Sequence, residues 1–98
     1  MTVIDKASWY IDAGENKDEV LERFRVVFAF LHEHKLLNQD GEELFQIGID
    51  SSISLHSDLL TPVGLEFLKL CYDKAASLNN NAIYAYLTGS YDMFQSLK

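Results

Sequence analysis

Between residues 17 and 37, apolar side chains recur at the spacing of an α-helix, and no other feature of this 98-residue chain narrows its fold as much. Val20, Phe24, Val27 and Leu31 form one stripe, broadened by Leu21, Phe28 and Phe30, so the helix predicted from Lys17 to Leu37 is buried on more than one side. Asn16 and Glu19 have capping-box spacing at its start, and Asp18 and Glu19 put negative charge at the positive end of the helix dipole. Glu19 and Arg23, four residues apart, are expected to pair on the polar face. A helix that apolar cannot stand alone in water, so the rest of the chain must supply the elements that cover it.

Those elements can be read in outline. Asn38, Asp40 and Gly41 carry the turn chemistry that ends a helix, and Asp40 with Glu43 then has capping-box spacing for a short second helix reaching Gly48. From Ile49 to Leu60 the period changes to two: Ile53 and Leu55 alternate with Ser52, Ser54 and His56, which predicts a loop or one short strand near residues 51–56. Thr61 followed by Pro62 is the clearest helix start in the chain, a hydroxyl cap ahead of a residue whose missing N–H costs nothing at the first helical position. That helix is predicted to run to about Leu78, with Leu65, Leu68, Tyr72 and Ala75 on one face and Phe67, Leu70 and Cys71 broadening it, before Asn79, Asn80 and Asn81 end it. Gly89 and Ser90 predict a break in the aromatic-rich tail, hence two short helices there. For Trp9, Tyr10 and Ile11, strand and helical turn are both open. No internal repeat, low-complexity tract or linker is detected. The expected fold is mainly α, a compact bundle of four to five helices with one short strand or extended segment, in a single helical domain spanning residues 1–98; Phe24 and Leu68 are its predicted core residues.

Composition limits function more than it limits fold. With 48% apolar residues, the chain has enough to build a core without a metal or disulfide. Glu22, Arg23 and Arg25 interrupt the richest apolar stretch, and the first ten residues lack the basic-then-apolar order of a secretory signal, so neither a membrane span nor a leader is expected. The one cysteine, Cys71, rules out an internal disulfide and fits a reducing cytoplasm. The net charge of −7 is unevenly placed: residues 1–58 hold twelve acidic side chains against five basic ones, whereas residues 59–98 hold three of each. Such a balance argues against nucleic-acid binding through phosphates. It has two readings, solubility and electrostatic steering toward a basic partner.

No residue pattern points to catalysis or to a cofactor. His32 and His34 lie roughly 200° apart around a helix and cannot converge on one metal ion. His56 and Asp58 supply two ligands at most, fewer than a metal site needs. Cys71 falls on an apolar face, where burial raises a thiol pKa and quenches reactivity. Ser51, Ser52, Ser54 and Ser57 form no Gly-x-Ser-x-Gly elbow, and the five glycines are scattered singly, so neither a nucleophile nor a phosphate loop is expected. The paired carboxylates Asp18/Glu19 and Glu42/Glu43 are accounted for by helix starts.

The run Ser54-Leu-His-Ser-Asp-Leu-Leu-Thr-Pro-Val-Gly-Leu-Glu-Phe67, with the chain's size and acidity, resembles small uncharacterised bacterial proteins of the toxin-immunity type over about fourteen residues. Its Leu60-Thr-Pro-Val-Gly64 portion also resembles the entry to the last helix of some winged-helix regulators. The charge excess of the first half, in an aromatic-rich chain without catalytic groups, leads to the expectation of a non-catalytic interaction module, of immunity or inhibitor type, that docks on a basic protein. Glu15, Asp18, Glu22, Asp40, Glu42 and Glu43 are the candidate protein-binding residues. A structural or regulatory subunit of a homo-oligomer, such as a homodimer, is the alternative reading, because the aromatic tail is large for a small core to hide. A small enzyme or a winged-helix-like regulator ranks third.

Overall fold

The computed structural model describes residues 1–97 and is mainly α. In chain order it contains β1 (Val3–Lys6), α1 (Ala7–Asp12), α2 (Lys17–Glu33), α3 (Gln39–Ile47), β2 (Ser54–His56), a 3-10 turn (Ser57–Leu59), α4 (Pro62–Ala76) and α5 (Asn80–Ser96). Helix α5 lies against both α2 and α4, while α1 and α3 flank α2. Phe24 and Leu68 are buried as expected, within a continuous core that also takes in Phe28, Phe30, Phe67, Ile83 and Leu87. No helix among the described residues is long and apolar enough to cross a membrane.

Trp9, Tyr10 and Ile11, for which the sequence leaves strand and helical turn both open, are helical, within α1, and a strand precedes them. Val3–Lys6 pairs antiparallel with Ser54–His56, and the chain then turns directly into α1. The pairing steps irregularly between Val3 and Asp5, so two residues of β1 oppose one of β2, as in a β-bulge. The alternation read at residues 52–56 is real: Ile53 and Leu55 are buried, and Ser54 and His56 are partly exposed.

Helix α2 stops at Glu33, four residues before the predicted end. Lys35 takes the left-handed conformation, with φ of 58°. Its N–H donates to the His32 carbonyl (3.1 Å) and the Leu36 N–H donates to the Leu31 carbonyl (2.8 Å), which together make a Schellman cap. Because glycine usually fills that position, a lysine there conceals the stop. Asn38, expected to help end this helix, instead begins the next: its Oδ1 accepts from the Gly41 N–H at 2.9 Å. The predicted Asp40/Glu43 cap is corrected accordingly, and Asp40 lies in the first turn of α3.

The Thr61–Pro62 start of α4 forms as predicted, Thr61 Oγ1 accepting from the Gly64 N–H at 3.0 Å. Leu70, assigned to the buried face, is exposed. The break expected at Gly89 does not occur, since α5 is continuous from Asn80 to Ser96. One glycine costs a helix only about 1 kcal/mol relative to alanine, which Ile83, Leu87, Tyr91 and Phe94 outweigh by burying one face.

Contrary to the expectation of no internal repeat, the chain carries a short one. Leu36-Leu-Asn-Gln-Asp-Gly41 and Leu59-Leu-Thr-Pro-Val-Gly64 share the pattern Leu-Leu-cap-x-x-Gly, and the structure lays them antiparallel across each other. Leu37 and Leu60 form the central bridge. The Asn38 N–H donates to the Leu59 carbonyl and the Thr61 N–H to the Leu36 carbonyl, both at 3.0 Å, so the two halves are related by a local two-fold. In each, the cap residue starts a helix and the glycine lies against the other half's backbone. A Cβ on Gly41 would fall 2.2 Å from the Leu59 carbonyl oxygen, and one on Gly64 2.6 Å from the Leu36 carbonyl oxygen. Backbone cannot yield as a flexible side chain can. Gly41→Ala and Gly64→Ala are each expected to destabilise by about 1–3 kcal/mol or more, read as a lower urea midpoint at unchanged m-value, despite alanine's better helix propensity. Gly89→Ala, in the open, is the control and is expected to be neutral or stabilising.

Candidate functional site

The six carboxylates proposed for docking do not form one cluster. Glu22 lines a groove of about 410 Å³ between α2 and the end of α3, whose floor is apolar: Val26, Ala29, Phe45 and Ile49. Arg25 Nη1 lies 3.4 Å from the Glu22 carboxylate at the same rim. Glu42 does not line this groove but is linked to it through one neighbour: its carboxylate lies 2.5 Å from His32 Nδ1, and the His32 ring stacks on the groove residue Phe45 with centroids 5.0 Å apart. Asp18, Asp40 and Glu43 are exposed on α2 and α3, with Gln39 Nε2 donating to Glu43 at 3.5 Å. Glu15 is elsewhere, at the mouth of a second cleft between the start of α2 and the start of α5.

The expected Glu19–Arg23 surface pair is replaced by something the sequence did not suggest. Arg23 turns inward, only 9% exposed, with its guanidinium carbon 4.2 Å from the centre of the Tyr10 ring. Beneath it lies Asp5, 1% exposed and the most buried charged residue of the fold. Tyr72 O–H donates to Asp5 Oδ2 at 2.6 Å, Tyr10 O–H donates to the same oxygen at 3.0 Å, and the Lys6 N–H donates to Oδ1 at 3.0 Å. Burial, then the hydrogen bond to Asp5, pushes the Tyr10 hydroxyl up to about 12, and burial with the charge on Asp5 pushes Tyr72 higher still. Both phenols therefore stay protonated at neutral pH and act as donors. They tie β1, α1 and α4 together around one carboxylate.

The remaining candidates for chemistry have packing roles. Burial pushes the Cys71 thiol up to about 11, away from the thiolate range in which a cysteine reacts. His34 lies tilted against Phe30 and edge-on to Tyr91, while His32 is engaged by Glu42. Tyr84 O–H donates to the Glu33 carboxylate, which raises the Tyr84 pKa. No group of three or more potential metal ligands converges among the described residues. No protein-family model, curated protein or solved structure matches the chain.

Proposed function

We propose that this chain is a non-catalytic interaction module of the immunity or inhibitor type, which docks on a basic protein through the groove between α2 and α3. The observation that carries the reading is an apolar floor in the acidic half of the chain: Val26, Ala29, Phe45 and Ile49 share a groove with the Glu22–Arg25 pair, and Phe45 stacks on the His32 ring that contacts Glu42. Binding energy concentrates in desolvated apolar centres, whereas rim charge governs encounter. The partner's matching surface is an apolar side chain flanked by lysine or arginine. A bacterial cytoplasm, where Cys71 stays reduced, is the setting this reading implies.

Association kinetics test it. With a basic partner captured on the immobilised chain, Glu22→Lys/Glu42→Lys is expected to lower the association rate about tenfold or more and to flatten its salt dependence. The reversals disturb one exposed ion pair and one half-buried one, so the variant should remain folded. A folded double variant with the wild-type rate and salt slope refutes steering by this surface.

A second reading has its own observation. Leu70, Met93 and Leu97 are exposed along an apolar groove between α4 and α5, in the half of the chain that carries no net charge. Two copies could meet there without repulsion, as a homo-oligomer subunit would require. Sedimentation distinguishes the readings: a monomer at micromolar concentration favours the first, a stable dimer the second.

A further inference from the structure

The N-terminal segment is held to the rest of the fold more by hydrogen bonds than by apolar burial. Of residues 1–13, Asp5 and Ala7 are buried, while Ile4, Tyr10 and Ile11 pack partly against the core. Helix α5, by contrast, buries Ile83, Leu87, Tyr91 and Phe94. What holds the segment is its pairing with β2, the Ser57 N–H donating to the Thr2 carbonyl at 2.8 Å, and the Ala7 N–H donating to the Ile53 carbonyl at 3.2 Å. The buried side-chain bond that reaches across is the one from Tyr72 on α4 to Asp5.

The segment also ends cleanly. Gly14 is left-handed, with φ of 94°, and the turn around it closes back on α1: the Gly14 N–H donates to the Ile11 carbonyl and the Glu15 N–H to the Tyr10 carbonyl, each at 3.0 Å. Helix α2 then starts on its own cap, Asn16 Oδ1 accepting from the Glu19 N–H at 3.0 Å. Releasing residues 1–13 leaves that cap intact. Helix α1 has six residues and no side-chain cap, too short to persist alone, so strand and helix must be lost together.

We infer that residues 1–13 form a strap, hinged at Gly14 and latched by Asp5 on Tyr72, which opens as one unit while α2, α4 and α5 stay folded. A carboxylate suits a latch: docked, it has given up its water, and on release it regains it, so the net hold is weaker than the number of its bonds suggests. Opening uncovers the edge of β2 and the Arg23 guanidinium, which in the closed fold lies 4.2 Å from the centre of the Tyr10 ring. A free strand edge beside a cation is a surface that the closed strap withholds. The strap is separate from the α2–α3 groove and stands or falls independently of it.

Native-state hydrogen exchange of the ¹⁵N-labelled chain tests the strap amide by amide. In the wild type, the amides of Ala7, Glu15 and Ser57 are expected to share one opening constant, at least about a hundredfold larger than that of core amides such as Phe28 and Leu87. Leu87→Ala weakens the core, and should raise the opening constant of the core amides about thirtyfold or more. The strap amides should stay within about twofold of the wild type in that variant, because their own bonds are intact. Should Leu87→Ala not fold, Ile83→Val reads the same contrast at about threefold. Tyr72→Phe removes the donor at the latch and should raise the strap's opening constant about tenfold. The inference is overturned if strap amides open no more often than core amides, if the core variant accelerates both alike, or if Tyr72→Phe leaves strap exchange unchanged.

Discussion

Asp5→Ala is expected to lower stability by about 3–5 kcal/mol, the largest effect of any single polar substitution in this chain, because it removes the acceptor at the centre of a buried network. Two tyrosine hydroxyls, from α1 and α4, would lose their acceptor, and the Arg23 guanidinium over Tyr10 would lose a nearby compensating charge. Asp5→Asn retains an acceptor oxygen and should cost less. The cause can be isolated by a double-mutant cycle, in which Asp5→Ala and Tyr72→Phe together cost less than the sum of the two alone by about 1–3 kcal/mol. Additive losses would show that the carboxylate matters for some reason other than the Tyr72 bond. The same network sets an alkaline limit. Tyr10 and Tyr72 have pKa values raised by folding, so they stabilise fully below the unfolded tyrosine value of about 10, and that stability is lost as pH rises above it. Chemical denaturation between pH 8 and pH 11 should show the decline, with a shallower slope in Tyr72→Phe.

What the sequence disclosed and what it withheld follow from the range over which each signal acts. The starts of α2 and α4 were legible because a cap and its N–H are three residues apart, and Asn16 with Glu19 and Thr61 with Gly64 form those bonds. The end of α2 was not, because the turn at Lys35 is imposed on a residue that shows no preference for it. The helix break read at Gly89 failed for the opposite reason: a local preference was weighed without the tertiary burial that overrides it. Asp5 is the clearest case of missing information. Its partners Tyr10 and Tyr72 lie five and sixty-seven residues away, and nothing in a one-dimensional pattern connects them. Arg23 was paired with Glu19 by spacing alone, although Tyr10 draws it inward. As for the candidate carboxylates, the sequence identified the acidic half, but only the packing of α3 on α2 separates Glu22, which lines an apolar groove, and Glu42, which contacts it through His32 and Phe45, from Glu15, which belongs to another cleft.

Phe30→Ala should rival Asp5→Ala in cost, and it addresses how the last helix is held. The Phe30 ring is fully buried at the meeting point of three helices, with centroids 6.0 Å from Phe67 on α4, 6.0 Å from Tyr91 and 5.7 Å from Tyr84 on α5, and 4.3 Å from His34 at the end of its own helix. Tyr91 and Tyr84 meet it edge-on, the arrangement that places positive ring edges against a negative face. Truncation forfeits the transfer energy and leaves a cavity, together about 3–5 kcal/mol. Each lost ring pair adds about 0.5–1.5 kcal/mol beyond area alone. Phe30→Leu refills most of the volume without restoring the ring contacts, so it should recover more than half of the loss but not all of it. The residual deficit measures the aromatic contribution. Because the ring touches α4 and α5 together, hydrogen exchange in Phe30→Ala should accelerate most around Ile83 to Phe94, ahead of β1 and β2. A loss below about 1 kcal/mol, or exchange that accelerates evenly along the chain, would mean that α5 is anchored elsewhere, through Ile83 and Leu87 rather than through this ring cluster.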